Sequence, residues 1–217
     1  PTVSHPLRRP LAVACAIALA IALVPGCALF SRPAGQDLRW YTPELSTAPP
    51  GRAEAQPDAP LLPLQLGPVT AGTGIKLRIA YSNGLYDVGY YEDRRWTERP
   101  ALYVRRALER ALFDEGRFRP ARGDDAPVLD VNVFEFEQVQ GPTSHAAQIA
   151  LRLTLSTDAG LVERTIRVSQ PAQDSSFDAF VAAMVLALRE SAADVARTVS
   201  GALAMASLTS RRVLKQG

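Results

Sequence analysis

The sequence predicts an α+β domain with a mostly antiparallel sheet of about five to seven strands and two helices, of which the C-terminal one is long. Apolar and polar residues alternate in three stretches, 75–81, 145–156 and 161–168, which is typical of half-buried strands. Apolar residues instead recur every three or four positions in 100–113 and from Phe177 onward, which is typical of amphipathic helices. Short turn signals separate neighbouring strands, so we expect antiparallel hairpins with one face toward the helices.

The first residues have the features of a secretion signal. Two arginines precede an unbroken run of apolar and small residues, Leu11–Val24, and a glycine stands directly before Cys27. A charged start, an apolar core of about 14 residues and a small residue at the cleavage point make up a signal peptide, whereas a spanning helix needs about 20 apolar residues. We therefore expect residues 1–26 to be removed and Cys27 to be lipidated. An ordinary leader with an incidental cysteine and a short retained anchor are the alternatives.

The predicted anchor also indicates a location. Two or three acyl chains on Cys27 would hold the protein stably in a membrane, whereas one chain binds only marginally. Residue 28 is alanine rather than the aspartate that often retains bacterial lipoproteins at the inner membrane. We therefore expect the protein in the inner leaflet of the outer membrane of a Gram-negative bacterium, facing the periplasm.

Charge and composition exclude several classes of function. The formal net charge is +2, and the two leader arginines account for it, so the mature chain is neutral. Neutrality argues against nucleic acid or an anionic membrane as the main partner. The chain has two cysteines and two histidines, of which only Cys27 and His145 would remain after cleavage. An internal disulfide, a Cys/His zinc site and any Ser-His-Asp triad without His145 are then impossible. We expect no metal, no cofactor and no catalytic residue.

Residues 27–60 are interpreted as the lipidated cysteine, a polar tether and a proline-rich segment. The small and polar tether before Trp40 would reach roughly 35 Å if extended. Leu38–Tyr41 is apolar and aromatic, which predicts a short first strand or, alternatively, a hydrophobic spot in a linker. The prolines between Thr42 and Pro60 exclude helix and ladder hydrogen bonds. That segment is a surface excursion, a rigid spacer or a partner-binding arm.

The folded domain is expected over residues 61–210, with 211–217 as a tail. Leu64–Val69 should be an edge strand, because Pro68 cannot donate to a ladder. The next strand, 75–81, should pair as a hairpin with 85–91. Its alternation predicts one shared face for the side chains of Ile75, Leu77, Ile79 and Tyr81.

The following elements carry clear local signals. Pro100 favours the first turn of a helix, and Gly116 suits its end. Phe118 should open a short strand. Within 128–139 the apolar positions change from odd to even numbers, which predicts a bulge or sharp bend near Val133-Phe134.

The long C-terminal helix should begin near Phe177. Ser175 and Asp178 resemble a capping box for it. Its second half is rich in alanine and presents small residues to one side, so it packs either on its own domain or against a partner.

Aromatic residues concentrate in one part of the chain. Of six tyrosines and two tryptophans, most lie between positions 81 and 103. Tyrosine and tryptophan give a large contact area with a polar group. We expect a contact patch for a partner or a lipid, with the interface between sheet and helix as the alternative. The candidate residues are Tyr81, Tyr86, Tyr90, Tyr91 and Trp96.

Seven segments of the chain form a recognisable series: Leu64–Val69, Leu77–Tyr81, Tyr90-Tyr91, Trp96 with Pro100 four residues later, Leu108–Phe118, Leu129–Phe136 and the alanine-rich helix from Phe177. In this order and spacing they resemble the ABC-type transport auxiliary lipoprotein family. The resemblance covers most of the mature chain.

The resemblance implies a non-enzymatic component of a transport system for phospholipids or hydrophobic compounds. The implied partners are an MCE-domain protein, which forms a tunnel across the periplasm, and an ABC permease with its ATPase. The lipoprotein would dock this assembly at the outer membrane, with a homo-oligomeric ring as one possible arrangement. Two other functions remain open: an assembly lipoprotein of another outer-membrane machine, such as lipopolysaccharide export, and a cell-wall hydrolase that uses His145 or the carboxylates Asp124-Asp125 and Glu135/Glu137.

Overall fold

The computed structural model describes residues 37–44, 60–83, 86–123 and 126–214, with side chains as far as residue 206. The chain divides into two compact units, Pro1–Asp37 and Leu38–Gly217. The described residues belong almost entirely to the second unit. The predicted signal peptide, Cys27 and most of the proline-rich segment lie outside the described residues.

The second unit is an α+β domain with a mixed sheet of eight strands among the described residues. The strands are β1 Arg39–Tyr41, β2 Leu62–Ala71, β3 Arg78–Ser82, β4 Val88–Trp96, β5 Phe118–Pro120, β6 Val128–Gln140, β7 His145–Thr157 and β8 Gly160–Pro171. The helices are α1 Pro100–Glu109 and α2 Phe177–Leu214. The predicted class, the two helices and the long C-terminal helix are confirmed, with more strands than the five to seven expected.

Strand β6 organises the sheet. One of its edges pairs with β7 in an antiparallel ladder. The other edge is shared by two parallel neighbours, β2 along 128–133 and β3 along 137–139. Beyond these, β7 pairs with β8 and β3 with β4 in antiparallel ladders, whereas β1 with β4 and β2 with β5 are parallel. The long hairpins make antiparallel pairing predominant by residue, and the short parallel ladders make the sheet mixed.

The bulge predicted in β6 is confirmed. The register with β7 shifts between Val133 and Glu135, so that Phe134 has no paired partner there. The extra residue absorbs the change of phase. Phe136 therefore returns to the buried face with Val133, while Phe134 is half-buried with the guanidinium of Arg152 5.8 Å from its ring.

Strands β2 and β3 differ in part from the prediction. β2 lies between β6 and β5, but β5 pairs only with Leu62–Leu64. Pro68 occupies the register shift between Leu66 and Val69, with no described strand on its other side, so the edge prediction holds for that half alone. The N–H of Gly72 still donates to the carbonyl of Val133 on β6 at 2.9 Å, and the chain then leaves β6 in a turn in which the N–H of Ile75 donates to the carbonyl of Gly72 at 2.9 Å.

The departure of residues 72–77 from β6 corrects the predicted strand 75–81. Its first residues form a loop, and the ladder starts only at Arg78. Leu77 is consequently exposed, while Ile79 is fully buried. The expected shared face is therefore wrong for Leu77, whereas Ile75 packs against the core from the loop rather than from the strand. The hairpin with the following strand is confirmed by the pairing of Ser82 with Val88.

Helix α1 begins at Pro100, as predicted, and continues into one π-helical turn, Arg110–Asp114. It turns Tyr103, Val104 and Leu108 toward the core. The chain then leaves the helix at Gly116. A Cβ atom at this position would lie 2.4 Å from the carbonyl oxygens of the last turn, so only glycine permits the close approach.

Helix α2 is capped one residue later than predicted. The hydroxyl of Ser176 accepts a hydrogen bond from the N–H of Ala179 at 3.1 Å. Ser176 is therefore the N-cap, and the expected capping box at Ser175 and Asp178 is wrong, because the first helical residue is Phe177. The helix continues to Leu214, into the stretch that was expected to be a tail.

Both helices pack against one face of the sheet and against each other. The core between them centres on Trp96, which is fully buried beside Phe136 and Phe180. Burial of such large side chains stabilises a domain by about 1.5–3 kcal/mol each. Trp96 is the last residue of β4, the strand that also carries the candidate residues Tyr90 and Tyr91.

Candidate functional site

The five aromatic candidates do not form one patch. Trp96 lies inside the core, where Tyr103 also contacts it at 6.4 Å between ring centroids. Tyr86 lies at the other extreme, in the β3–β4 turn, with 94% of its side chain exposed. A direct contact between Trp96 and a partner would require the core to open, whereas Tyr86 is available at the surface.

Tyr81 and Tyr91 belong to an aromatic cluster at the start of α2. Tyr91 packs 5.0 Å from Tyr81 and 5.3 Å from Phe177, and Phe177 packs 4.5 Å from Tyr41 on β1. The guanidinium of Arg94 lies over the rings of both Tyr91 and Phe177, at 4.6 Å and 4.2 Å. This cluster fixes the first turn of α2 to β1 and β4.

The geometry of the cluster depends on an irregularity in β4. The three residues of β3 from Arg78 to Ala80 oppose the six residues of β4 from Tyr90 to Arg95, so β4 bulges. Arg95 stabilises the bulge by donating to the carbonyls of Tyr91 and Arg94, at 2.9 Å and 2.8 Å. A regular strand would place Tyr91 and Arg94 on opposite faces, but here both reach the ring of Phe177.

A polar network lies beside this cluster. The Tyr91 hydroxyl donates to the side-chain carbonyl of Gln138 and accepts from the amide of Gln140 at 2.6 Å. Burial raises the pKa of the Tyr91 hydroxyl above its usual range, although the Arg94 guanidinium opposes the shift. Nδ1 of His145 lies 3.4 Å from the Gln138 amide. The network satisfies buried polar groups.

The carboxylates that a hydrolase would use are engaged in hydrogen bonds and an ion pair. Glu135 accepts from Arg167 at 2.5 Å and from Gln148 at 2.8 Å. Burial raises the pKa of the Glu137 carboxyl, while a hydrogen bond from Ser82 lowers it. Asp124 and Asp125 lie outside the described residues. Among the described side chains, no His, Cys, Asp or Glu group of three or more is arranged to hold a metal ion.

Tyr90 leads to a second feature of the surface. Its hydroxyl donates to the carbonyl of Gly74 at 2.7 Å, and its ring lies 5.6 Å from the guanidinium of Arg78. Tyr90 thus ties the loop 72–77 to β4. This loop forms one wall of an open cleft of about 880 Å³ whose opposite wall is the start of α1.

The cleft combines an apolar interior with basic side chains. Its apolar lining includes Val69, Ile75, Leu77, Ala101 and Leu102, and its cations are Lys76, Arg78 and Arg99. The sequence prediction missed this site, because Lys76 and Arg78 fit the polar positions of a regular strand. In the structure the chain leaves β6 before these residues, and they line the same cleft as Arg99.

These features define a small α+β domain whose described surface offers an exposed aromatic side chain and a cleft with apolar and basic lining for binding. None of the helices within the described ranges is long and apolar enough to cross a membrane.

The chain belongs to the family described as the ABC-type transport auxiliary lipoprotein component, whose model matches residues 44–196. The resemblance stated above is therefore confirmed. A search of curated protein sequences finds no match.

Solved structures show the same fold. One is protein XCC0632 from Xanthomonas campestris, assigned to the family DUF330, with a TM-score of 0.62 and 20% identity over 80% of this chain and 99% of that chain. Another is an uncharacterized protein with a TM-score of 0.55 and 16% identity over 75% of this chain and 99% of that chain. At these identities the similarity concerns the fold alone.

Proposed function

We propose that the protein is a non-enzymatic lipoprotein component of an MCE/ABC-type system that transports phospholipids or other hydrophobic compounds. It docks the periplasmic tunnel protein at the outer membrane, and its partners are an MCE-domain protein, the ABC permease and the ATPase. The match of residues 44–196 to the auxiliary lipoprotein family carries this proposal.

The anchor in this proposal is Cys27. Its acyl chains hold the protein in the inner leaflet of the outer membrane, and the segment up to the first strand gives the domain its reach into the periplasm. The domain itself contributes binding surfaces. Tyr86 and the exposed part of α2 are the contact residues that the partner would meet first, because their side chains already face solvent.

The anchor is tested by exchanging the two cysteines in turn. We expect Cys27→Ser to release the protein from the membrane fraction, because the acylated sulfur is lost. Cys15→Ser, the matched control within the predicted leader, should leave the protein in the membrane. Intact mass of the mature chain reports the acyl groups directly, and an unmodified amino terminus at Cys27 would contradict lipidation.

The transport role is tested by crosslinking the full-length protein in native membranes. The protein is purified through a carboxy-terminal tag, and its partners are identified by mass spectrometry. Recovery of an MCE-domain protein with its permease supports the proposal, and the size of the crosslinked species reports whether several copies form a ring. Recovery of a lipopolysaccharide export component instead, or hydrolysis of cell-wall material that is lost in His145→Ala, would overturn it.

A further inference from the structure

We propose that the cleft between loop 72–77 and the start of α1 binds a single anionic phospholipid, with the phosphate at its basic rim and an acyl chain against its apolar wall. The class of ligand follows from the size of the cleft, the charge of its rim and the contacts that hold the rim in place. The inference rests on the proposed function for the source of this lipid, which is the transported material.

The first argument is the size of the cleft. A volume of about 880 Å³ falls within the range of roughly 300–1,000 Å³ that is typical of small-molecule sites. Two of its apolar side chains, Leu77 and Leu102, are 36% and 46% exposed. They come from separate elements, the loop and α1, and both line the cleft, so an acyl chain lying in the cleft would cover both.

The second argument is the charge of the rim. Lys76, Arg78 and Arg99 all line the cleft, and no carboxylate lines it. Neither Lys76 nor Arg99 forms an ion pair with any described residue. Acidic residues elsewhere in the chain balance the net charge, but none of them lines the cleft. A local group of three uncompensated cations beside an apolar wall matches a ligand with a negative head and an apolar tail.

The third argument is that the rim is held in place. Arg78 lies against the ring of Tyr90, whose hydroxyl holds the carbonyl of Gly74 in the loop. On the opposite wall, α1 starts with no side-chain cap and no acidic residue in its first turn. Its amino end therefore adds positive potential to that of Arg99.

The test measures labelling of the full-length protein in neutral detergent by a photoreactive phosphatidylglycerol. The charge variant is Lys76→Gln with Arg78→Gln and Arg99→Gln. The matched control removes three exposed arginines from other elements: Arg119→Gln, Arg164→Gln and Arg189→Gln. Both variants lose the same charge, and their unfolding curves establish that they fold.

We expect the charge variant to label about tenfold less than the native protein, since each charge-assisted hydrogen bond to phosphate contributes to affinity. The control should label within about twofold, because its arginines lie outside the cleft. Leu102→Glu should also reduce labelling, because it places a negative charge in the apolar wall of the cleft. The crosslinked peptides should contain residues 69–78 or 99–102.

Several results would overturn the proposal. They are equal labelling of the charge variant and the control, equal competition by phosphatidylcholine, or displacement by inorganic phosphate alone. Loss of a protein partner with unchanged lipid labelling would identify the cleft as a docking site for an acidic protein segment instead. Recovery of transport partners is measured separately from lipid labelling. A negative labelling result therefore does not contradict the proposed transport role, and a negative partner result does not change the interpretation of the labelling.

Discussion

At the scale of single residues, Glu137 couples the stability of the domain to pH. Burial raises the pKa of its carboxyl above the ordinary value of 4.5, against the hydrogen bond from Ser82, and the neighbouring Glu135 raises it further. The folded state therefore favours the protonated carboxyl more than the unfolded state does. This contribution to stability is present below pH 4.5 and is lost as the pH rises through the folded pKa.

We expect Glu137→Gln to raise the free energy of unfolding at pH 7, because the amide carries no charge to desolvate. The gain should shrink as the pH falls below 4.5, where the native carboxyl is neutral as well. Urea unfolding at both pH values measures the difference. The control is Glu163→Gln on the exposed face of β8. An equal gain at both pH values would contradict the assigned cause.

Substitution of Trp96 should affect the stability of the domain, whereas substitution of Tyr86 should affect only partner binding. Trp96→Ala leaves a cavity among Phe136, Phe180 and Tyr103 and should lower the free energy of unfolding by about 3–5 kcal/mol. Tyr86→Ala should change it by less than about 0.5 kcal/mol, because the side chain is exposed. Chemical denaturation gives both values. A partner contact at Tyr86 would then appear as weaker recovery of the partner by an equally stable protein.

The sequence predicts where aromatic residues concentrate but not how deeply each one lies. Tyr90 and Tyr91 are adjacent, and a regular strand would send them to opposite faces. Tyr91 and Arg94 would also lie on opposite faces of a regular strand, but the β4 bulge, stabilised by Arg95, brings both to the ring of Phe177. Phe177 lies more than eighty positions further along the chain, so no local sequence pattern predicts this contact.

At the scale of elements, the cap of α2 gives a direct comparison of two neighbouring serines. Ser176→Ala should lower the free energy of unfolding by about 1 kcal/mol, because the N–H of Ala179 loses its acceptor. Ser175→Ala should have little effect, since Ser175 is exposed and precedes the cap. Unfolding followed by circular dichroism distinguishes them. A larger loss for Ser175→Ala would place the helix start one residue earlier.

Elements with a local signal are the ones that could be predicted. The change of phase at Val133-Phe134 is visible in the order of apolar residues, and the bulge follows. The loop 72–77 gives no such signal, because the alternation of Ile75, Leu77 and Ile79 continues across its end. The parallel pairing of β1 with β4 is also absent from any local pattern, since paired residues such as Arg39 and Arg94 lie 55 positions apart.

At the scale of the whole molecule, the position of β6 predicts how protection from hydrogen exchange is distributed. Amides of 128–133 lie between two ladders, to β2 and to β7. Those of β1 belong to a three-residue ladder at the end of the sheet. We expect β6 to exchange most slowly among the strands and β1 early, since exposed edges open locally.

Hydrogen–deuterium exchange with mass spectrometry measures this order on the native protein. Similar protection of β1 and β6 would show that the two strands open only together, in one global event. Earlier exchange of β6 than of β8 would contradict the pairing described here.

The loop 72–77 connects two strands that both pair with β6. The strand before it, β2, pairs with β6 up to Ala71, and the strand after it, β3, pairs with β6 from Ala80. Residues inserted or deleted between Gly72 and Leu77 leave both registers with β6 unchanged. The dimensions of the cleft can therefore diverge between homologues, or be re-engineered for a bulkier occupant, while the scaffold that carries it stays the same.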